Sequence, residues 1–383
     1  MIEHPYFQRL RRISQMGLSY LVYPGAHHTR FHHAIGCMFL MQKAVGVLRF
    51  KGTKISDCEE TALYIAILLH DIGHGPFSHA MEHSIVENIS HEKISLLFME
   101  KLNKEFDEKL SLAIQIFKGN YHRLFMLQLI SSQLDMDRLD YLKRDSFYSG
   151  VEEGKINSDR LIQMMTVVND ELVIEEKGVY SVEKFLMARR LMYWQVYFHK
   201  TSLVAELILT RVLKRAKELS QKGMVLNCSE NLQFFLSHKI ENFDNDDVLH
   251  KFAQLDDYDI ISALKSWQDH PDYVLSKLSR MIINRDLLKI KISTEKFLQE
   301  TVDAQVQLFS KAENVTLHEA QYFIFKGKIK NQAYNKTSQP INILNKNGSV
   351  QEIVAVSDQL NINVLTKPVT KFYFCNPKES VKN

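Results

Sequence analysis

His70-Asp71-Ile72-Gly73-His74-Gly75-Pro76-Phe77-Ser78-His79 follows directly on the run Thr61-Ala62-Leu63-Tyr64-Ile65-Ala66-Ile67-Leu68-Leu69, which opens at Ser56. Ser56 and Glu59 have the spacing of a capping box, and neither Gly nor Pro interrupts the apolar run, so a buried helix is expected to close at His70 and Asp71. Gly73, Gly75 and Pro76 then break it. An imidazole and a carboxylate on adjacent residues at that break can chelate one divalent cation. Burying the pair without such a purpose is costly. Two further histidines within ten residues weigh against an ordinary surface His-Asp pair. The rest of the chain is expected to be arranged around this stretch.

The composition agrees with a helical fold. A chain of 383 residues, 45% of them hydrophobic, can bury a sizeable core and divides naturally into two or three substructures. Only 14 Gly and 7 Pro, against abundant Leu, Ile, Lys and Glu, predict a mainly α protein. The charge of +3 is the balance of 48 basic and 45 acidic residues, so nothing in bulk demands nucleic acid or an anionic membrane. Cys37, Cys58, Cys228 and Cys375 have neither paired nor metal-ligand spacing, and neither a signal peptide nor a long uncharged apolar run is present. A reduced cytoplasmic protein is the expectation.

Outward from the central stretch, Pro5 to Gly17 reads as a helix carrying Arg9, Arg11 and Arg12, and Tyr23-Pro24-Gly25 as a turn. Phe31 to Phe50 has a helical stripe through Ile35, Phe39, Leu40 and Val47, with His32 and His33 in its first turn. Ser90 is the expected N-cap of a helix that opens at His91. Leu134 to Asp145 carries four carboxylates, Asp135, Asp137, Asp140 and Asp145, in an otherwise apolar region. Residues 166–182 read as a small hairpin turning at Asn169-Asp170 and Lys177-Gly178. Val182 to Ser220 lacks Gly and Pro, which predicts one long or two abutting helices stopping at Gly223. Helix is expected to continue to about residue 300, and Tyr322 to Phe374 alternates like strands. The organisation expected is a helical bundle over 1–220 with the small hairpin, a helical extension over 221–320 and a C-terminal α+β lobe over 321–383.

A metal constellation can be assembled from these parts. His33, the His70-Asp71 pair and Asp137 offer two imidazole nitrogens and two carboxylates, a set that suits Mn, Fe, Co, Ni, Zn or Mg alike. Periodicity does not choose His33 over His32, nor Asp137 over Asp135 or Asp140.

Taken together, Phe7-Gln8-Arg9-Leu10-Arg11, Val22-Tyr23-Pro24-Gly25-Ala26, Thr29-Arg30-Phe31-His32-His33, His70 to His79, His91-Glu92 and Leu134 to Tyr141 resemble the HD-domain deoxynucleoside triphosphate triphosphohydrolases. The likeness is nearest to the branch that in metazoans joins a sterile-alpha-motif domain to an HD domain. It covers roughly residues 1 to 220, with a fainter echo at Asn284-Arg285-Asp286-Leu287-Leu288-Lys289. The resemblance implies an HD-domain bundle and one divalent ion on His33, His70, Asp71 and Asp137. The implied activity is hydrolysis of dNTPs at the α-phosphate to deoxynucleoside and triphosphate.

It also implies residue roles. Arg30 and His79 match α-phosphate contacts, and Arg138 and Arg189 match groups that neutralise the distal phosphates. Gln15 and Asp145 match positions that hold the 3′-hydroxyl. Tyr141 matches the ring that leaves no room for a 2′-hydroxyl, and Tyr197 another pocket tyrosine. His74 and His91 match histidines beside the scissile phosphate, His91 being the expected proton donor to the 5′-oxygen. A homo-oligomer, dimer or tetramer, is implied, and Gln8, Arg11, Arg160, His199 and Lys200 match part of an allosteric nucleotide site. Glu82 stands where the metazoan enzyme has an aspartate and is expected to serve as the carboxylate partner of His74. The family's segment before the Phe-Gln-Arg-Leu-Arg motif has no counterpart after Met1, which suggests a shortened start or its absence. Two other functions are consistent with the same residues: another HD-type phosphohydrolase, a phosphodiesterase or nucleotidase with a second metal on His74 and His91, and a nucleotide-sensing binding protein.

Overall fold

The run after Ser56 forms the helix Asp57–Leu69, and its start is a capping box in which Ser56 accepts from the Glu59 amide and Glu59 Oε2 accepts from the Ser56 amide at 2.8 Å. Leu63, Ala66, Ile67 and Leu69 are fully buried. Burying a Leu or Ile contributes ~1.5–3 kcal/mol, so packing stabilises this helix more than propensity does. The chain is described by a computed structural model that covers residues 1–378 except 83, 87, 88, 241, 244 and 359–361; the side chain of His79 is also outside the description.

The helix Arg30–Phe50 packs against Asp57–Leu69 on one side and against Met136–Ser149 on another. Gly36 allows the second approach, because a Cβ there would collide with the side chains of Asp140 and Arg144. These helices and His91–Glu105, capped by Ser90, form the bundle that carries the central stretch. Arg9 is buried at its rim and donates to the carbonyls of Ile72 (2.7 Å) and Leu255 (3.3 Å), tying the N-terminal motif to the turn after His70 and to the C-terminal half. The expected N-terminal helix is shorter than its pattern: Pro5–Gln8 is α-helical and Arg9–Arg12 tightens to a 3-10 turn.

Met165–Val168 and Glu171–Glu175 form the hairpin, with Asn169 and Asp170 both at positive φ (52° and 60°) as a two-residue primed turn requires. The stretch after Val182 is two helices, Val179–Met192 and Lys200–Gln221, separated by a π-helical turn at Tyr193–Tyr197. Such π turns re-aim side chains and occur often at functional sites.

Helix does not persist to residue 300. Tyr273–Ile283 ends at Asn284, Arg285 adopts φ 54°, and Lys289–Ser293 is a strand whose Lys-Ile-Lys-Ile alternation has the strand period of two. It pairs antiparallel with Val369–Asn376, which also pairs antiparallel with Phe325–Asn331. Asn342–Leu344 pairs in parallel with Glu171–Glu175 of the hairpin and antiparallel with Val350–Glu352. The C-terminal strands are thus divided between two sheets, one of which extends the hairpin. Among the described residues no helix is long and apolar enough to cross a membrane.

Candidate metal centre and active site

Three helices bring the expected ligands to one point: His33 from the first turn of Arg30–Phe50, His70 and Asp71 from the end of Asp57–Leu69, Asp137 from the first turn of Met136–Ser149. His33 Nε2 lies 3.1 Å from Asp137 Oδ1 and 3.8 Å from Asp71 Oδ2. His70 Nε2 lies 3.4 Å from Asp71 Oδ1 and 3.7 Å from Asp137 Oδ1. Each ring is oriented from its other nitrogen. His33 Nδ1 donates to Asp140 Oδ2 at 2.8 Å, and Asp140 is held in turn by Nε and Nη2 of Arg144, both at 2.8 Å. His70 Nδ1 donates to the Ile67 carbonyl at 2.6 Å. Both histidines therefore turn Nε2 toward the carboxylates, the orientation that a carboxylate or carbonyl behind the ring imposes on a metal ligand.

The donor set fits a divalent metal ion. Among the described residues His70 Nε2 is buried with no hydrogen-bond partner, an omission that ordinarily costs ~1–3 kcal/mol. Burial disfavours the His33 cation but is outweighed by the hydrogen bonds to Asp137 and Asp140, so its pKa stands well above the ordinary value and the site favours positive charge at this point. Burial would raise the Asp71 carboxyl, but His70, His74 and Arg30 hold it well below the usual range; His33 and His70 do the same for Asp137. Cys37, absent from the expected ligands, stands 3.5 Å from the His33 ring nitrogens. Burial pushes its thiol well up, which keeps it from the thiolate form that binds metal.

Asp71 also faces a second group. Its Oδ1 lies 3.2 Å from His74 Nε2, and the His74 and His91 rings stack at 3.9 Å. Gly73 admits this arrangement: a Cβ would collide with the backbone of His91 and Ser95. Glu82 departs from expectation. Its Oε1 accepts from His91 Nδ1 at 2.8 Å, while His74 Nδ1 meets the Ser78 hydroxyl, because the stacked His91 ring presents its Nδ1 edge to the carboxylate. The two stacked rings are consequently unlike. Burial, then Arg30, push the His74 pKa down to about 3. Burial of His91 is outweighed by Glu82, so its pKa is raised.

Arg30 joins the cluster to a cavity. Its Nη1 donates to Asp71 Oδ2 at 2.5 Å, and its side chain is part of the wall of a cavity of about 280 Å³ that is also lined by Gln15, Tyr141, Asp145 and Tyr197. Asp145 accepts from the Tyr197 hydroxyl (2.8 Å) and from His28 Nε2 (2.7 Å). Tyr141 meets Tyr197 edge to face at 6.3 Å, and Gln15 Oε1 is buried without a partner among the described residues.

Residues 30–145, which contain all four expected ligands, match the HD domain, and residues 156–231 match the HD associated region. A phosphohydrolase of Bacteroides thetaiotaomicron of known structure is 51% identical, superposing with a TM-score of 0.95 over 98% of this chain and 94% of that one. The uncharacterized protein YwfO of Bacillus subtilis is 34% identical over 91% of this chain and 81% of its own length. The chain belongs to the HD-domain phosphohydrolase family. The deoxynucleoside triphosphate triphosphohydrolase SAMHD1 homolog of Dictyostelium discoideum is a further relative, 29% identical over 60% of this chain and 50% of its own.

Not every expected residue reaches the cavity wall. Arg138 pairs with Asp135 and stands 3.9 Å from Asp137; Arg189, from the associated region, donates to Gln133 Oε1 at 3.1 Å. Neither lines the cavity. His79 lies in the short helix Ser78–Glu82, and its side chain is outside the described residues. Three residues that bear on the site had no assigned role. Asp140, weighed only as an alternative ligand, supports His33, and its spacing of four from Arg144 on one helix face was a usable signal. His28 is buried against Asp145 and stacks on Tyr148 at 4.4 Å. Asp257 accepts from the amides of Ser14 (2.8 Å) and Phe77 (2.9 Å), clamping two loops of the cavity wall from a position 180 residues beyond Phe77; no local pattern announces it.

Proposed function

We propose that the chain is a metal-dependent deoxynucleoside triphosphate triphosphohydrolase, releasing a deoxynucleoside and inorganic triphosphate. The observation that carries this is Arg30, which holds Asp71 of the His/Asp cluster and lines the cavity at the same time. A phosphate against Arg30 would abut the cluster while the attached sugar entered a pocket walled by Tyr141, Tyr197, Asp145 and Gln15.

His33, His70, Asp71 and Asp137 would hold the ion, which when bound supplies a polarised phosphate oxygen and a water of lowered pKa. Arg30, with His79, offsets the charge of the α-phosphate, and Arg138 and Arg189 that of the distal phosphates. His91, whose protonated form Glu82 favours, gives its proton to the departing 5′-oxygen. His74, neutral and stacked on His91, fixes that ring's orientation. Tyr141 occupies the space of a 2′-hydroxyl, while Gln15 and Asp145 take the 3′-hydroxyl.

Incubation with each dNTP and NTP plus Mn²⁺, with separation of the phosphate products, tests this. Intact triphosphate is expected from dNTPs, with matching ribonucleotides poorer by at least roughly tenfold because of the clash at Tyr141. Pyrophosphate or orthophosphate as the first product, or equal rates on dGTP and GTP, would count against it. A second reading, a two-metal HD phosphohydrolase, is favoured by one observation: Asp71 Oδ1 is shared between His70 Nε2 (3.4 Å) and His74 Nε2 (3.2 Å), as a bridging carboxylate would be. The same proposal carries the family's assembly with it. Light scattering at micromolar concentration is expected to show a dimer or tetramer, and a monomer would refute that part.

A further inference from the structure

Part of the cavity wall comes from outside the HD domain. Ser202, Glu206 and Leu209, at i, i+4 and i+7 of the helix Lys200–Gln221, line it together. Glu206 interrupts an apolar run, with Leu203-Val204-Ala205 before it and Leu207-Ile208-Leu209 after it. Asp145, the other carboxylate in the wall, is satisfied by His28 and Tyr197. Glu206 is different: among the described residues its carboxyl has neither hydrogen bond nor ion pair, and burial alone, with no charged neighbour acting on it, pushes its pKa up to about 7. Its carboxyl is half-buried on the cavity wall, and a ligand that donates to it there supplies a partner that the described residues do not.

The position of Glu206 restricts what that ligand part can be. A triphosphate cannot lie against an unpaired carboxylate in a cavity of low dielectric, because like charges repel strongly there. The phosphates therefore belong with Arg30, the cation that lines the cavity among the described residues. Tyr141, Gln15 and Asp145 account for the sugar. What remains for Glu206 is the base. A carboxylate offers two acceptor oxygens side by side. Guanine answers with two adjacent donors, N1–H and the 2-amino group. Adenine and cytosine set one amino group beside an unprotonated ring nitrogen that a carboxylate repels, and thymine sets its single N–H between two carbonyls.

We propose that Glu206 reads the base of the substrate and makes the pocket prefer guanine; the inference rests on the dNTP reaction proposed above. The test is kcat/KM of the metal-loaded protein for dGTP, dATP, dCTP and dTTP, and for deoxyinosine triphosphate, which lacks the 2-amino group. Wild-type protein prefers dGTP to dATP by roughly ten- to a hundredfold, the worth of one good bidentate contact, with deoxyinosine triphosphate falling below dGTP. In Glu206→Gln, whose side chain keeps the shape but has one acceptor and one donor, the dGTP-to-dATP ratio drops to within about threefold of unity. An unchanged ratio in the variant, or a wild type that turns over dGTP and deoxyinosine triphosphate equally, overturns the inference while triphosphate release still supports the reaction. Absence of triphosphate from every dNTP overturns both. The deoxyinosine comparison uses wild-type protein alone, so it decides the matter even if the variant does not fold.

Discussion

Asp137→Ala loses its metal and its turnover together and keeps its fold. Asp137 Oδ1 faces both ring nitrogens of the cluster, 3.1 Å from His33 Nε2 and 3.7 Å from His70 Nε2. Its removal takes away one of two negative charges that offset a divalent ion and leaves the His33 and His70 nitrogens with Asp71 alone. The helix survives because its start depends on Asp135, whose carboxylate accepts from the Arg138 amide, and not on Asp137. His70→Ala is expected to act alike, since among the described residues its Nε2 has no hydrogen-bond partner and its Nδ1 bonds only to the Ile67 carbonyl of its own helix. Turnover falls by at least roughly 10⁴-fold in both, because the ion supplies the nucleophile and polarises the phosphate. Metal per chain by mass spectrometry, read beside far-ultraviolet circular dichroism, checks this. Wild-type metal content in both variants would sink the ligand assignment.

The second large effect is at His91. If its cation protonates the leaving 5′-oxygen, the active form is the protonated one, so the rate falls as pH rises through its pKa in the enzyme-substrate complex. Glu82 raises that pKa, and the descending limb therefore lies above the ordinary imidazole value of about 6.5. His74 does not contribute a limb there, since burial and Arg30 keep it neutral down to about 3. His91→Ala is expected to lose the limb and to be slower by roughly 10²- to 10⁴-fold, with metal content unaltered. Loss of one metal ion per chain in that variant would remove His91 from the role of acid and favour the two-metal reading, in which His74 and His91 join Asp71 as ligands.

Much of the bundle was legible in the chain because its signals are local. The capping box at Ser56, the N-cap at Ser90, the Asn169-Asp170 turn and the stop at Gly223 each depend on residues within a few positions of one another. The strand Lys289–Ser293 was missed for the opposite reason: its alternation is short, and only pairing with Val369–Asn376, about 80 residues on, gives its backbone groups partners. The division of the C-terminal strands between two sheets was hidden in the same way, since Asn342–Leu344 finds its parallel neighbour in the hairpin of the N-terminal half.

At the site, the amino-acid sequence by itself determined the chemical types and their anchoring: an imidazole and a carboxylate at the end of one buried helix, a histidine and an aspartate in the first turns of two others, and glycines where backbones must touch. Only the tertiary structure decided which partner each group has. Glu82 meets His91, Asp140 stands behind His33, Asp257 clamps the loops at Ser14 and Phe77, and Glu206 is left in the cavity wall without a partner among the described residues. The physical reason is that a side chain's charge state follows from its surroundings and not from its identity. His74 and His91 are the same residue stacked ring on ring, yet Arg30 and burial lower one pKa while Glu82 raises the other, and both influences arrive through contacts between separate segments.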